Sequence, residues 1–141
     1  MTGWSSLAVG DQVAEETFSL TRDSLVRYAG ASGDFNPIHY RDDFAQSVGL
    51  EGVLAHGMLT MGLALAPVQN WVEGSGVVTS YSVRFTKPVY VPPQGAIEVS
   101  VKITVAKIDD PEPGHLTLGL QVTTPEGATV LGKAFAVVAP R

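Results

Sequence analysis

Cysteine is absent from this 141-residue chain, which removes both a disulfide framework and a thiol nucleophile. Three histidines without a single cysteine also argue against a structural zinc site. Charge is scarce: 16% of residues are Asp, Glu, Lys or Arg, with a net charge of -5 and no long basic run, so nucleic acid is an unexpected partner. Neither a charged leader nor a membrane span is evident. Met1 to Ser6 lacks a basic segment followed by an apolar one, so no signal peptide is expected. The longest apolar stretch, from about Met58 to Val72, is interrupted by Pro67, Gln69 and Asn70 and falls short of a bilayer crossing. A cytoplasmic protein without a membrane partner is the expectation. What the chain has in quantity is apolar surface, 45% of its residues, in a length that predicts one domain over 1–141. That is apolar for its size, and a second subunit would hide the excess.

The stretch with most chemical content is Ala31 to His39, which sets a carboxylate, Asp34, five residues before an imidazole, His39. Thr21 offers an N-cap and Asp23 a first-turn acid to a short helix in which Leu25, Tyr28, Ala29 and Ser32 share one face. Gly30 and Gly33 are expected to end it. Asn36 before Pro37 reads as the cap of a new turn, because Pro37 has its φ preset and lacks the N–H that would go unpaired there. His39 then falls in a helical first turn, whose positive end disfavours imidazolium and predicts a neutral ring. The same residues would also serve as a plain capped Asn-Pro turn with a surface Asp and His. Spacing alone does not choose between the two.

Further along, Gln12 to Leu20 predicts a first strand, and Asp42 to Val48 a second short helix closed by Gly49. His56 to Trp71 reads as a helix apolar on every side, hence interior, with a bend near Leu63 or a break imposed by Pro67. Free N–H groups should open it near Gly57. Alternation then predicts four strands: Val77 to Val91, Ile97 to Ile108, Leu116 to Val122 and Val130 to Val138. A polar loop from Asp109 to Gly114 and a turn at Pro125 to Gly127 separate the last three. One strand, then helices, then four antiparallel strands is an α+β layout in which a five-stranded sheet wraps the apolar helix, the hotdog arrangement. His115 is expected at the surface, and Thr60 either in the core or against a ligand.

Three blocks in order, Tyr28 to His39, Ala55-His56-Gly57-Met58-Leu59 and Val83-Arg84-Phe85-Thr86-Lys87-Pro88-Val89, resemble the MaoC-like, R-specific hydratase 2 family. With Val9-Gly10-Asp11 and Leu59 to Gly62 the likeness extends over most of the chain, and in particular to the catalytic B subunits of the (3R)-hydroxyacyl-ACP dehydratases of mycolic-acid-type fatty acid synthase II. The resemblance implies that Asp34 and His39 hold the water added to a trans-2-enoyl thioester or lost from a (3R)-3-hydroxyacyl thioester. It implies that the Gly57 N–H faces the thioester oxygen, with Asn36 and His56 in support, and with neither metal nor bound cofactor. The substrate would ride on acyl carrier protein or coenzyme A, facing some of Arg22, Arg27, Arg84, Lys87 and Lys102. A second hotdog subunit, identical or different, would complete the assembly. Two departures stand out: Val91-Pro92-Pro93-Gln94-Gly95 follows the third block in place of a Gly-Asp turn, and Leu65 occupies a position where some hydratases carry a small hydroxyl residue. Thioester hydrolysis and a non-catalytic acyl-binding subunit are the rival classes; the Asp-x-Asn-Pro-x-His block speaks against the first, and the presence of both Asp34 and His39 against the second.

Overall fold

The computed structural model describes residues 4–141. Strand β1 (Gln12–Leu20) is followed by helix α1 (Arg22–Ser32), a single 3-10 turn at Pro37–His39, helix α2 (Asp42–Ser47) and the long helix α3 (Gly57–Val72). Four strands complete the chain: β2 (Gly76–Phe85), β3 (Ile97–Ile108), β4 (Leu116–Thr123) and β5 (Thr129–Pro140). They form one antiparallel sheet in the order β1-β3-β4-β5-β2. The expected hotdog layout is therefore the observed one, and its cause is the period-two pattern. Val99, Val101, Ile103 and Val105 of β3 are buried, as are Leu116, Leu118, Leu120 and Val122 of β4, all in a single core cluster with Ala64, Val68 and Val72 of α3. Trp4 closes one end of that core by stacking on Trp71, ring centroids 5.6 Å apart. No helix among the described residues is long and apolar enough to cross a membrane.

The helix starts follow local chemistry. Thr21 caps α1 through a reciprocal pair with Ser24, and Gly33, at φ 77°, ends it in the left-handed conformation that glycine tolerates. Gly30 lies inside the helix and does not end it. Asn36 caps the 3-10 turn by accepting the Ile38 N–H at 3.2 Å, with Pro37 in the first position.

Four further expectations need correction. The break that Pro67 could impose is absent: helix α3 runs from Gly57 to Val72 with Pro67 buried on its core face. The missing N–H costs about 3 kcal/mol, a cost that packing of Thr60, Ala64, Pro67, Val68 and Val72 against the sheet overrides. Nor is α3 buried all round, since Met58, Gly62, Gln69 and Asn70 are exposed in the single chain. The strand expected from Val77 to Val91 ends at Phe85: Pro88 cannot donate to a ladder, and Val89 to Val91 instead pair with Val53 to Ala55. His115 is half-buried rather than free at the surface, and its Nδ1 has no partner among the described residues.

Candidate active site

The 3-10 turn delivers His39 inward, where its ring is 8% exposed. Its Nδ1 lies 2.7 Å from the Leu54 carbonyl oxygen, an acceptor only, so the Nδ1–H donates to it. In the neutral ring this leaves the lone pair on Nε2, and Nε2 faces Asp34 Oδ2 at 3.9 Å. The Asp34 carboxylate is half exposed. Its other oxygen, Oδ1, accepts the Asn36 N–H at 3.2 Å, so Asn36 orients Asp34 through its backbone while its side chain caps the turn. A gap of 3.9 Å is too wide for a direct hydrogen bond. One water at about 2.8 Å from each atom would close it, with an angle of about 90° at its oxygen.

His56 lies beneath this pair. It is 1% exposed, stacks on His39 with ring centroids 3.8 Å apart and an interplanar angle of 22°, and meets the Tyr28 ring edge to face at 4.7 Å. Its Nε2–H donates to the Asp34 backbone carbonyl at 3.1 Å. Burial, the leading cause, holds its pKa below the ordinary histidine value and keeps the ring neutral. The imidazole thus works as a post, fixing the backbone that carries the carboxylate and the face on which His39 rests.

Asp34, His39 and His56 each offer a ligating atom within 4.8 Å of the others. A ring nitrogen binds a metal in the plane of its own ring, however, and two stacked, nearly parallel rings aim past one another. His39 Nδ1 and His56 Nε2 are also engaged by carbonyls. The arrangement suits a stack better than a shared cation.

A cavity of about 390 Å³ adjoins His39, walled by that residue with Leu54, Gly57, Thr60, Phe85 and Lys87 among others. Gly57 opens α3 and sits at this wall. Its N-cap, His56, provides no side-chain acceptor, and the His56 carbonyl is taken by Leu59 and Thr60, so among the described residues the Gly57 N–H has no acceptor. A Cβ there would stand 2.9 Å from Phe85 Cε1, so any larger residue would have to push that exposed ring aside. Thr60 is buried, donates to the His56 carbonyl at 3.4 Å and also lines the cavity. Arg22 is spoken for by Asp42, at 2.9 Å. Of the other cations considered from sequence, only Lys87 borders the cavity. A second cavity, about 750 Å³, lies at Arg22, Asp42, Tyr90 and Pro92 and contains none of Asp34, His39 or Gly57.

Two participants were not legible in the sequence. The Leu54 carbonyl is a backbone group whose role follows only from where the 53–55 segment lies. Phe85 carried no signal beyond its place in the third block.

An antiparallel sheet around one helix, with a carboxylate and an oriented imidazole 3.9 Å apart near the N-terminus of that helix, defines the class: a hotdog domain with an aspartate–histidine pair at its cavity. Residues 6–123 match the family of the MaoC like domain, and the chain belongs to it. Among its relatives, the 3-hydroxyacyl-thioester dehydratase X of Mycobacterium tuberculosis is 37% identical over 81 residues, 57% of this chain and 28% of that protein. The (R)-specific enoyl-CoA hydratase of Aeromonas caviae is 30% identical over 131 residues, 92% of this chain and 93% of that one. This chain thus spans little more than a quarter of the first relative and nearly all of the second. In three dimensions, an (R)-hydratase from A. caviae described as involved in PHA biosynthesis superposes with a TM-score of 0.81 at 28% identity, covering 96% of this chain and 98% of that one. The ChsH1–ChsH2 complex of Mycobacterium tuberculosis shares the fold, with a TM-score of 0.79 at 22% identity over 95% of this chain and 98% of the matched chain.

Proposed function

We propose that this chain catalyses reversible hydration of trans-2-enoyl thioesters, equivalently dehydration of (3R)-3-hydroxyacyl thioesters, with Asp34 and His39 as its catalytic pair. The observation that carries this reading is the fixed His39 ring: with Nδ1–H tied to Leu54, its Nε2 faces Asp34 across the span of one water. In hydration that water gives its oxygen to C3, one of its protons passes to the dyad, and the dyad returns a proton to C2, so that H and OH add across the double bond. Dehydration is the reverse. Charge collects on the thioester oxygen while C2 has carbanion character, and the free Gly57 N–H meets it. Asn36 and His56 support the pair, as described above. No step requires a metal or a redox cofactor.

The acyl group rides on acyl carrier protein, as expected for fatty acid synthesis, or on coenzyme A; both present a phosphate-bearing pantetheine arm, for which Lys87 stands at the cavity mouth. The protein acts in the cytoplasm with a second hotdog subunit, identical or not. Support for a mate comes from β2, whose outer edge is unpaired in the single chain and whose Val77 and Phe85 are exposed. Named relatives include both dehydratases and hydratases of acyl thioesters, which agrees with the reaction and leaves the carrier open.

The test is loss of enoyl absorbance with crotonyl thioesters of coenzyme A and of carrier protein, for the wild type and for His39→Ala. Hydration that survives His39→Ala would reject the pair. Release of free thiol without loss of the enoyl band would instead assign thioester hydrolysis.

A further inference from the structure

The Leu54 carbonyl that orients His39 belongs to no main strand. It sits in a three-residue segment, Val53 to Ala55, held on every side by hydrogen bonds. Leu54 N–H donates to the Ile38 carbonyl at 3.2 Å, Ala55 N–H to the Val89 carbonyl at 2.8 Å, and Val91 N–H to the Val53 carbonyl at 3.0 Å. The remaining donor, the Val53 N–H, goes to a side chain: Asp42 Oδ1, at 3.0 Å.

Asp42 is itself gripped. Arg22 meets it with two parallel bonds, Nη2 to Oδ1 at 2.9 Å and Nη1 to Oδ2 at 3.1 Å, while Arg22 Nε donates to the Val91 carbonyl at 2.8 Å. One guanidinium therefore ties α1 to α2 and to the chain paired with Val53. Gly52 permits the approach, since a Cβ there would lie 3.0 Å from Asp42 Oδ1. The pair is partly sheltered, with side-chain exposures of 23% and 41%. Its neighbour in sequence, Arg41–Asp43, is exposed at 55% and 70%, and the side-chain bonds of that pair are to each other rather than to the 53–55 segment.

We propose that Asp42, clamped by Arg22, is a positioning residue: by holding the Val53 N–H it fixes the Leu54 carbonyl, and through it the tautomer and direction of the His39 ring. The proposal rests on the reading of His39 as catalytic for its kinetic consequence, though not for its structural one. The carboxylate does not line the cavity beside His39. Its effect reaches the reaction through the Val53–Leu54 backbone and one imidazole, and a misplacement of about 1 Å at such a ring is enough to cost on the order of 100-fold in rate. Asn at position 42 retains an oxygen for the Val53 N–H; Ala does not.

Long-range proton–nitrogen NMR of the histidine rings tests this directly in the full chain, which has three histidines, with His39→Ala assigning the signal. In Asp42→Ala the His39 ring is expected to show a mixture of tautomers, with kcat about 10- to 100-fold lower and KM within about twofold. Asp42→Asn is expected to keep the wild-type His39 signals and stay within about threefold in kcat, and Asp43→Ala to change neither. A folded Asp42→Ala protein with unchanged His39 signals and kcat within threefold would overturn the proposal. Should Asp42→Ala fail to fold, the double variant Arg22→Gln/Asp42→Ala removes the acceptor for the Val53 N–H without leaving the guanidinium unpaired and carries the same readout, and an unmoved His39 signal there would overturn the proposal equally. If His39→Ala remained fully active while Asp42→Ala still shifted the ring, the clamp would stand and the catalytic reading would fall.

Discussion

Replacing Asp34 by asparagine separates the chemistry of this site from its scaffolding. The side chain keeps its shape, and its Oδ1 still accepts the Asn36 N–H that it holds at 3.2 Å. The backbone carbonyl gripped by His56 is untouched by the change. With the side chain half exposed and its local bonds retained, stability should move by no more than about 0.5 kcal/mol. The rate should behave otherwise. Across the 3.9 Å gap to His39 Nε2 the carboxylate oxygen is an acceptor for the bridging water, and an amide nitrogen in its place is a donor. The water then loses one of its two acceptors, and the pair loses a proton carrier. Removal of one positioned acid or base typically costs 10²- to 10⁴-fold, or about 2.7 to 5.4 kcal/mol in the barrier. Hydration of a crotonyl thioester, followed by the enoyl absorbance alongside a urea melt, should therefore show kcat lower by at least 100-fold with an unchanged midpoint. A rate within tenfold of wild type, in a protein that melts normally, would refute the reasoning.

Further predictions concern the supports. His56 is held below its ordinary pKa by burial, so below about pH 6.5 the unfolded chain binds a proton that the folded chain resists. Stability should fall as pH drops from about 6.5 towards the folded value and be flat in this contribution above it; urea midpoints at pH 7.5 and 5.5 should differ less in His56→Gln than in wild type. Asp42, lowered by the Arg22 hydrogen bonds first and the Val53 N–H second, gives a stabilisation lost only at more acid pH, below its ordinary value near 3.9, and Asp42→Asn should remove that limb. Gly76→Ala should cost about 1–3 kcal/mol or more, because a Cβ would stand 2.5 Å from the Trp4 ring and 2.6 Å from the Ala139 carbonyl; a thermal melt within 1 °C or so of wild type would contradict the packing described. Tyr81, whose pKa burial pushes up to about 12, donates to the Met61 carbonyl of α3 at 2.8 Å, and Tyr81→Phe should lower stability by about 0.5–1.5 kcal/mol while leaving hydration intact.

The sequence by itself determined the sheet and singled out Asp34 and His39, the pair on which the proposed reaction rests. Period-two alternation in Ile97 to Ile108 and Leu116 to Val122 leaves one way to bury an apolar face, and Val99 to Val105 of β3 and Leu118 to Val122 of β4 follow it. Asn36 and Pro37 likewise settle their own turn, because capping and a preset φ are local properties. Tertiary structure decided everything that depends on neighbours distant in the chain. Pro67 reads as a breaker from propensity alone, yet packing against the sheet carries the helix through it. The strand after Val77 stops at Phe85 because Val89 to Val91 find better partners in Val53 to Ala55. The same pairing lays the Leu54 carbonyl under His39, fifteen residues upstream, and stacks His56 against it. A backbone oxygen has no letter in a sequence, and its direction is fixed only once the segments around it have been folded into place.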